Sequence, residues 1–100
     1  MPETRSLDSL TTEDFRPYQG TCFVLASGSV GFELIEVTPL GAAASGGYRA
    51  PFSLVFRAPP DPLLQQGIHR LEHDNFGVID LFLVPIGPDE AGMRYQAVFT

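Results

Sequence analysis

Lysine and tryptophan are absent from this 100-residue chain, cysteine occurs once and histidine twice. Each scarcity removes a class of chemistry. Without lysine there is no ammonium to grip a phosphate, and Gly28-Ser-Val-Gly31 reads as a turn between strands rather than a phosphate cradle. The basic residues are six arginines set against twelve acids, a formal net charge of −6, so a surface that tracks nucleic-acid phosphates would have to be assembled against the overall field. Nucleic acid is not expected as a partner. The lone Cys22 cannot close an intramolecular disulfide, and the opening residues carry neither a basic segment nor a long apolar stretch, which leads us to expect a reducing cytoplasm. No apolar run approaches the roughly 20 residues that cross a bilayer; the longest surrounds Leu81 to Pro85, and no membrane association is expected.

What is present suits one compact domain. A chain of this size buries about 60 to 70% of its unfolded surface, enough for a modest core without metals or disulfides. Residues 1–10 have no periodicity and read as a mobile N-terminal tail, leaving 11–100 as a single β domain. Thr11 or Thr12 can cap a short helix by accepting from its first amides, Glu13 and Asp14 suit its N-terminal dipole, and Phe15 and Tyr18 share one face. Pro17 and Gly20 limit that helix to two turns. From Thr21 onward the period becomes two, with strands expected at about 21–26, 31–38, 52–57, 68–73, 78–84 and 93–99. Between the second and third of these, Gly41 to Gly47 reads as a flexible loop. The proline-rich connection from Ala58 to Gly67 reads as a stiff, extended approach to Leu63 and Leu64.

The sharpest local signal is His73-Asp-Asn-Phe-Gly77, a turn with Gly77 at positive φ. Pairing His73 with Gly77 sets Leu71 opposite Ile79 and His69 opposite Leu81 on one face, and Arg70 opposite Asp80 on the other as a cross-strand ion pair. Beyond Asp80 the alternation fails, because Leu81-Phe-Leu-Val84 is apolar on both faces. Ile68, Phe82 and Val84 would then expose contiguous apolar surface, and either the helix carrying Phe15 packs over them or they receive a partner.

Catalytic and metal arrangements find little to build on. His69 and His73 stand some 13 Å apart along one strand face, too far to share an ion, and are read as a backbone-bonded strand histidine and a turn residue. Cys22 opens an apolar strand with no basic neighbour and reads as core. Glu33 and Glu36 have opposite strand parity, so they face opposite sides and do not form an acid–base pair. No serine sits in a nucleophile elbow, and Asp89-Glu-Ala-Gly92 reads as a turn.

Four segments, Pro51-Phe-Ser-Leu-Val-Phe-Arg57, Gln66-Gly-Ile-His-Arg-Leu-Glu-His73, Asp80-Leu-Phe-Leu-Val-Pro-Ile-Gly87 and Met93-Arg-Tyr-Gln-Ala-Val-Phe99, together resemble an uncharacterised family of small bacterial proteins. The resemblance covers residues 10–100; genes of that family look to lie beside genes for phage-tail-collar-like proteins, which implies a phage-tail-derived or accessory structural context, and no enzymatic activity is implied. Phe52, Leu54, Phe56, Leu71, Leu81, Leu83, Tyr95 and Phe99 within these segments have the parity of a core, and Gly67, Gly77 and Gly87 mark corners.

The expectation is therefore an all-β domain, a small antiparallel six-stranded barrel or two-layer sandwich with one short N-terminal helix plugging an open end or face. Its expected function is a non-enzymatic protein-interaction module that meets a protein partner or a second copy. The contact would run through a sheet edge or through Ile68, Phe82, Val84, Leu63 and Leu64, with no catalytic, metal or cofactor residue. A small-molecule-binding barrel closed by the Gly41 to Gly47 loop is the alternative, and an enzyme of unknown type the third.

Overall fold

The computed structural model describes residues 10–26, 28, 30–41, 50–61 and 63–99. The tail over 1–9 and most of the Gly41 to Gly47 loop lie outside these residues. One short helix, α1 (Thr12–Phe15), runs into a 3-10 turn over Arg16–Tyr18. Six strands follow: β1 (Cys22–Leu25), β2 (Gly31–Pro39), β3 (Phe52–Ala58), β4 (Gly67–His73), β5 (Gly77–Asp89) and β6 (Gly92–Phe99). All described pairings are antiparallel, and the strands close into a ring in the order β1-β2-β3-β6-β5-β4. The all-β expectation holds. Closure rests on a short seam between β1 and β4, where Val24 pairs with Glu72 and Leu25 with Leu71, and the Ala26 amide donates to the Arg70 carbonyl at 2.9 Å.

Period-two alternation sends Phe23, Leu25, Phe32, Leu34, Phe52, Leu54, Phe56, Leu71, Ile79, Leu81, Leu83, Tyr95 and Phe99 into the buried core. Burying a large apolar side chain of this kind contributes about 1.5 to 3 kcal/mol, so the ring is held mainly by its interior. Leu10, assigned to the tail by the sequence reading, is buried in the same core.

The helix closes one end of the ring and does not lie on its outer face. Phe15 places its ring 5.1 Å from Phe76, 5.6 Å from Phe99 and 5.9 Å from Phe52, while Phe52 and Phe99 stack at 4.5 Å. At its start Thr11 caps the helix as expected, in a reciprocal capping box: its side chain faces the Asp14 amide, and the Asp14 carboxylate accepts from the Thr11 amide at 2.8 Å. Elsewhere the chain before β4 is tied to the interior, with the Leu64 amide donating to the Tyr95 hydroxyl at 3.0 Å.

Three sequence readings are corrected by bulges and parity. Cys22 is exposed, because Phe23 and Leu25 take the two inward positions of a four-residue strand. Glu33 and Glu36 share the outer side: the register shifts between Leu34 and Glu36, so they pair with Arg57 and Val55, two residues apart on β3. Strand β5 runs on to Asp89 through Pro85 and Pro88. Because β4 begins at Gly67, opposite Leu83, this overhang is paired with β6 alone, and a register shift between Pro85 and Gly87 accommodates residues that lack an amide hydrogen.

Candidate interaction surface

The β4–β5 hairpin has the register that its turn dictates. His73 pairs with Gly77, whose φ of 102° suits glycine, and Leu71, His69, Arg70 and Ile68 face Ile79, Leu81, Asp80 and Phe82. Arg70 grips Asp80 through two bonds, Nε to Oδ1 at 2.8 Å and Nη2 to Oδ2 at 3.0 Å. The hydrogen bond from Arg70 holds the Asp80 carboxyl below its ordinary range, and Asp80 in turn raises the guanidinium.

Beside that ion pair, parity turns two large apolar side chains to solvent. Ile68 is 72% exposed and its cross-strand partner Phe82 is 50% exposed. The helix is committed to the end of the ring by Phe15, which disposes of the expectation that it might shelter them. Val84, two residues beyond Phe82 on the same strand, is half-buried. Leu63, in the segment leading into β4, is 59% exposed. Leu64 behaves differently from the other four: it is half-buried, packs against the core and supplies the amide bonded to Tyr95, so it closes the interior. Ile68 and Phe82 thus form a defined apolar pair on the outer face, flanked along both strands by the fixed charges of Arg70 and Asp80.

Polar side chains elsewhere are engaged in holding turns. Asp89 accepts from Arg57 Nε at 2.9 Å and Nη2 at 2.6 Å, and its Oδ1 also accepts from the Ala91 and Gly92 amides at 2.9 and 3.0 Å. These bonds, with Arg57 the largest cause, lower the Asp89 carboxyl. His69 meets the Gln65 carbonyl through Nε2 at 2.9 Å, as the reading of a backbone-bonded strand histidine requires. His73 bonds to Thr21 and to its own turn. A shallow groove beside it is lined by Val24, Glu72, His73, Asp74, Gly77 and Val78. Among the described residues there is no group of three or more His, Cys, Asp or Glu side chains placed to hold a metal ion. Every buried side-chain nitrogen or oxygen among them has a hydrogen-bond partner. No described helix is long and apolar enough to cross a membrane. The sequence reading placed His73 and Asp89 in turns but did not assign their side chains the amides they accept; an acid two and three residues before those amides is a signal that could have found Asp89, whereas histidine in that place is not.

Comparison with curated proteins and with solved structures finds no match. A family model does match, over residues 10–99, and by that match the chain belongs to the family described as a domain of unknown function, DUF6916.

Proposed function

We propose that this domain is a non-enzymatic docking module that receives a protein partner on the outer face of β4 and β5. The observation that carries the reading is the cross-strand pair Ile68 and Phe82, large and apolar and more than half or half exposed, on a rigid hairpin. Aromatic side chains presented this way are what partner surfaces use as anchors. A face suits docking better than an edge here, since the overhang of β5 carries Pro85 and Pro88, and β2 ends on Pro39, residues that discourage strand addition. The small-molecule alternative has less support, because Phe23, Phe32, Phe52, Phe56 and Tyr95 fill the interior of the ring. An accessory role in a bacterial, cytoplasmic, phage-tail-like assembly, with a collar-like protein as partner, is the context we propose from the sequence resemblance.

The test compares partner capture by the wild-type chain, by Ile68→Ser/Phe82→Ser and by Cys22→Ser, an exposed site on another strand. A partner retained by Cys22→Ser and lost from the double variant supports the reading. Capture that is indifferent to the double variant, or a strictly monomeric chain that captures nothing reproducibly, counts against it.

A further inference from the structure

Two turns in this ring are closed by a side chain that accepts from the backbone amides two and three residues ahead. In the β5–β6 turn the acceptor is a carboxylate: Asp89 Oδ1 takes the Ala91 and Gly92 amides. In the β4–β5 turn it is an imidazole: His73 Nδ1 takes the Asn75 amide at 3.0 Å and the Phe76 amide at 3.2 Å. Asp or Asn is the ordinary occupant of such a position, because its oxygen is always available. A histidine nitrogen is available only while it is unprotonated.

Two donors directed at Nδ1 fix the tautomer: Nδ1 carries the lone pair and Nε2 the hydrogen. Nε2 then donates to Thr21 Oγ1 at 3.1 Å, and the Thr21 hydroxyl, its own lone pair so used, donates to the Tyr18 carbonyl at 2.6 Å. One imidazole therefore joins the hairpin turn to the segment entering β1 and to the 3-10 turn of the N-terminal plug. Its ring lies 5.0 Å from Tyr18 and 4.8 Å from Phe23, and Phe76, whose amide it holds, is buried against Phe15, Tyr18 and Phe23.

We propose that His73 is a proton-operated latch: neutral, it closes the β4–β5 turn and anchors the N-terminal plug to it; protonated at Nδ1, it opposes both amides and releases the turn. Binding the proton puts an N–H where two N–H groups already point, so the bonds to Asn75 and Phe76 cannot persist. The ionisable groups around the ring are Tyr18 from the 3-10 turn, Cys22 from β1, Glu72 from β4 and Asp74 from the turn. Glu72 and Asp74 are exposed carboxylates that attract an imidazolium through solvent, where salt screens them. Neither is hydrogen-bonded to the ring, and a carboxylate, which has no N–H or O–H, gives the two amides no substitute for the lost Nδ1 lone pair unless it takes the place of the ring.

The full chain labelled with nitrogen-15 tests this by NMR between pH 8 and pH 5. At pH 8 the imidazole nitrogens should report the Nε2–H tautomer. As the ring takes up its proton, the Asn75 and Phe76 amide resonances should move with it, and their hydrogen exchange, corrected for intrinsic rates, should accelerate about tenfold relative to that of Leu81. His73→Asn keeps an oxygen acceptor in the turn, as Asp89 does, so its Asn75 and Phe76 amides should stay fixed across the same range; His69→Gln should behave as wild type. A ring that titrates while both amides stay still overturns the proposal. So does a proton on Nδ1 at pH 8, or a wild-type pH response retained by His73→Asn. If a variant fails to fold, the wild-type titration alone decides between these outcomes.

Discussion

At Gly92 the backbone passes so close to β3 that a Cβ there would clash with the Ala58 carbonyl oxygen and lie 3.3 Å from Arg57 Cγ. Backbone cannot yield as a side-chain tip can, so Gly92→Ala should destabilise by about 1 to 3 kcal/mol, read as a lower urea midpoint with an unchanged slope. The neighbouring Arg57–Asp89 pair and the Arg70–Asp80 pair give the molecule an acid limb. Both aspartates have carboxyls lowered by their arginine partners, so their contribution is complete above the unfolded carboxylate range and is lost as pH falls below about 4. The Arg70–Asp80 side chains are well solvated and those of Arg57–Asp89 partly so, which keeps the first contribution small and lets the second be the larger. A series of urea midpoints from pH 5 to pH 2 should fall throughout for wild type and fall less for Asp89→Asn, which starts from a lower value at neutral pH.

Among the elements, the β4–β5 hairpin was the most legible in the sequence and the N-terminal plug the least. A three-residue turn ending in a positive-φ glycine leaves one register, and that register alone delivers the Arg70–Asp80 pair and the Ile68–Phe82 pair. Elsewhere a single bulge undoes parity. The shift after Leu34 puts Glu33 and Glu36 on one side of β2, and nothing in Phe-Glu-Leu-Ile-Glu-Val announces it, because Ile35 suits either face. Cys22 was misread because a thiol next to Phe and Val looks apolar, although the parity of Phe23 already turned it outward. The plug is too short for a hydrophobic stripe to reveal where it goes, and only the ring contacts of Phe15 settle that it closes an end. Phe15→Ala should therefore cost about 3 to 5 kcal/mol, as expected for an emptied aromatic site in a core, with Tm measured by far-ultraviolet circular dichroism as the check. Phe82→Ser, by contrast, should cost only about 1 kcal/mol, because half of that ring is in water already.

Taken whole, the molecule separates its functions by surface. The interior is filled by large side chains, with Phe15 and Leu64 packed onto it, while the Asp, Glu and Arg side chains of the described residues lie outside it. That arrangement stabilises the ring and leaves on the β4–β5 face a cross-strand apolar pair that folding does not require, besides the exposed Leu40 and Val98 elsewhere. Ile68 and Phe82 lie outside the core, and the proposed partner would account for their being apolar. The most direct measurement is the dissociation constant of the captured partner for wild type, for Phe82→Ser and for Cys22→Ser, with Tm recorded for all three. The account predicts that Phe82→Ser weakens binding by at least about tenfold while its Tm falls no further than a loss of about 1 kcal/mol implies, and Cys22→Ser changes neither. Equal affinity of Phe82→Ser and wild type would contradict it.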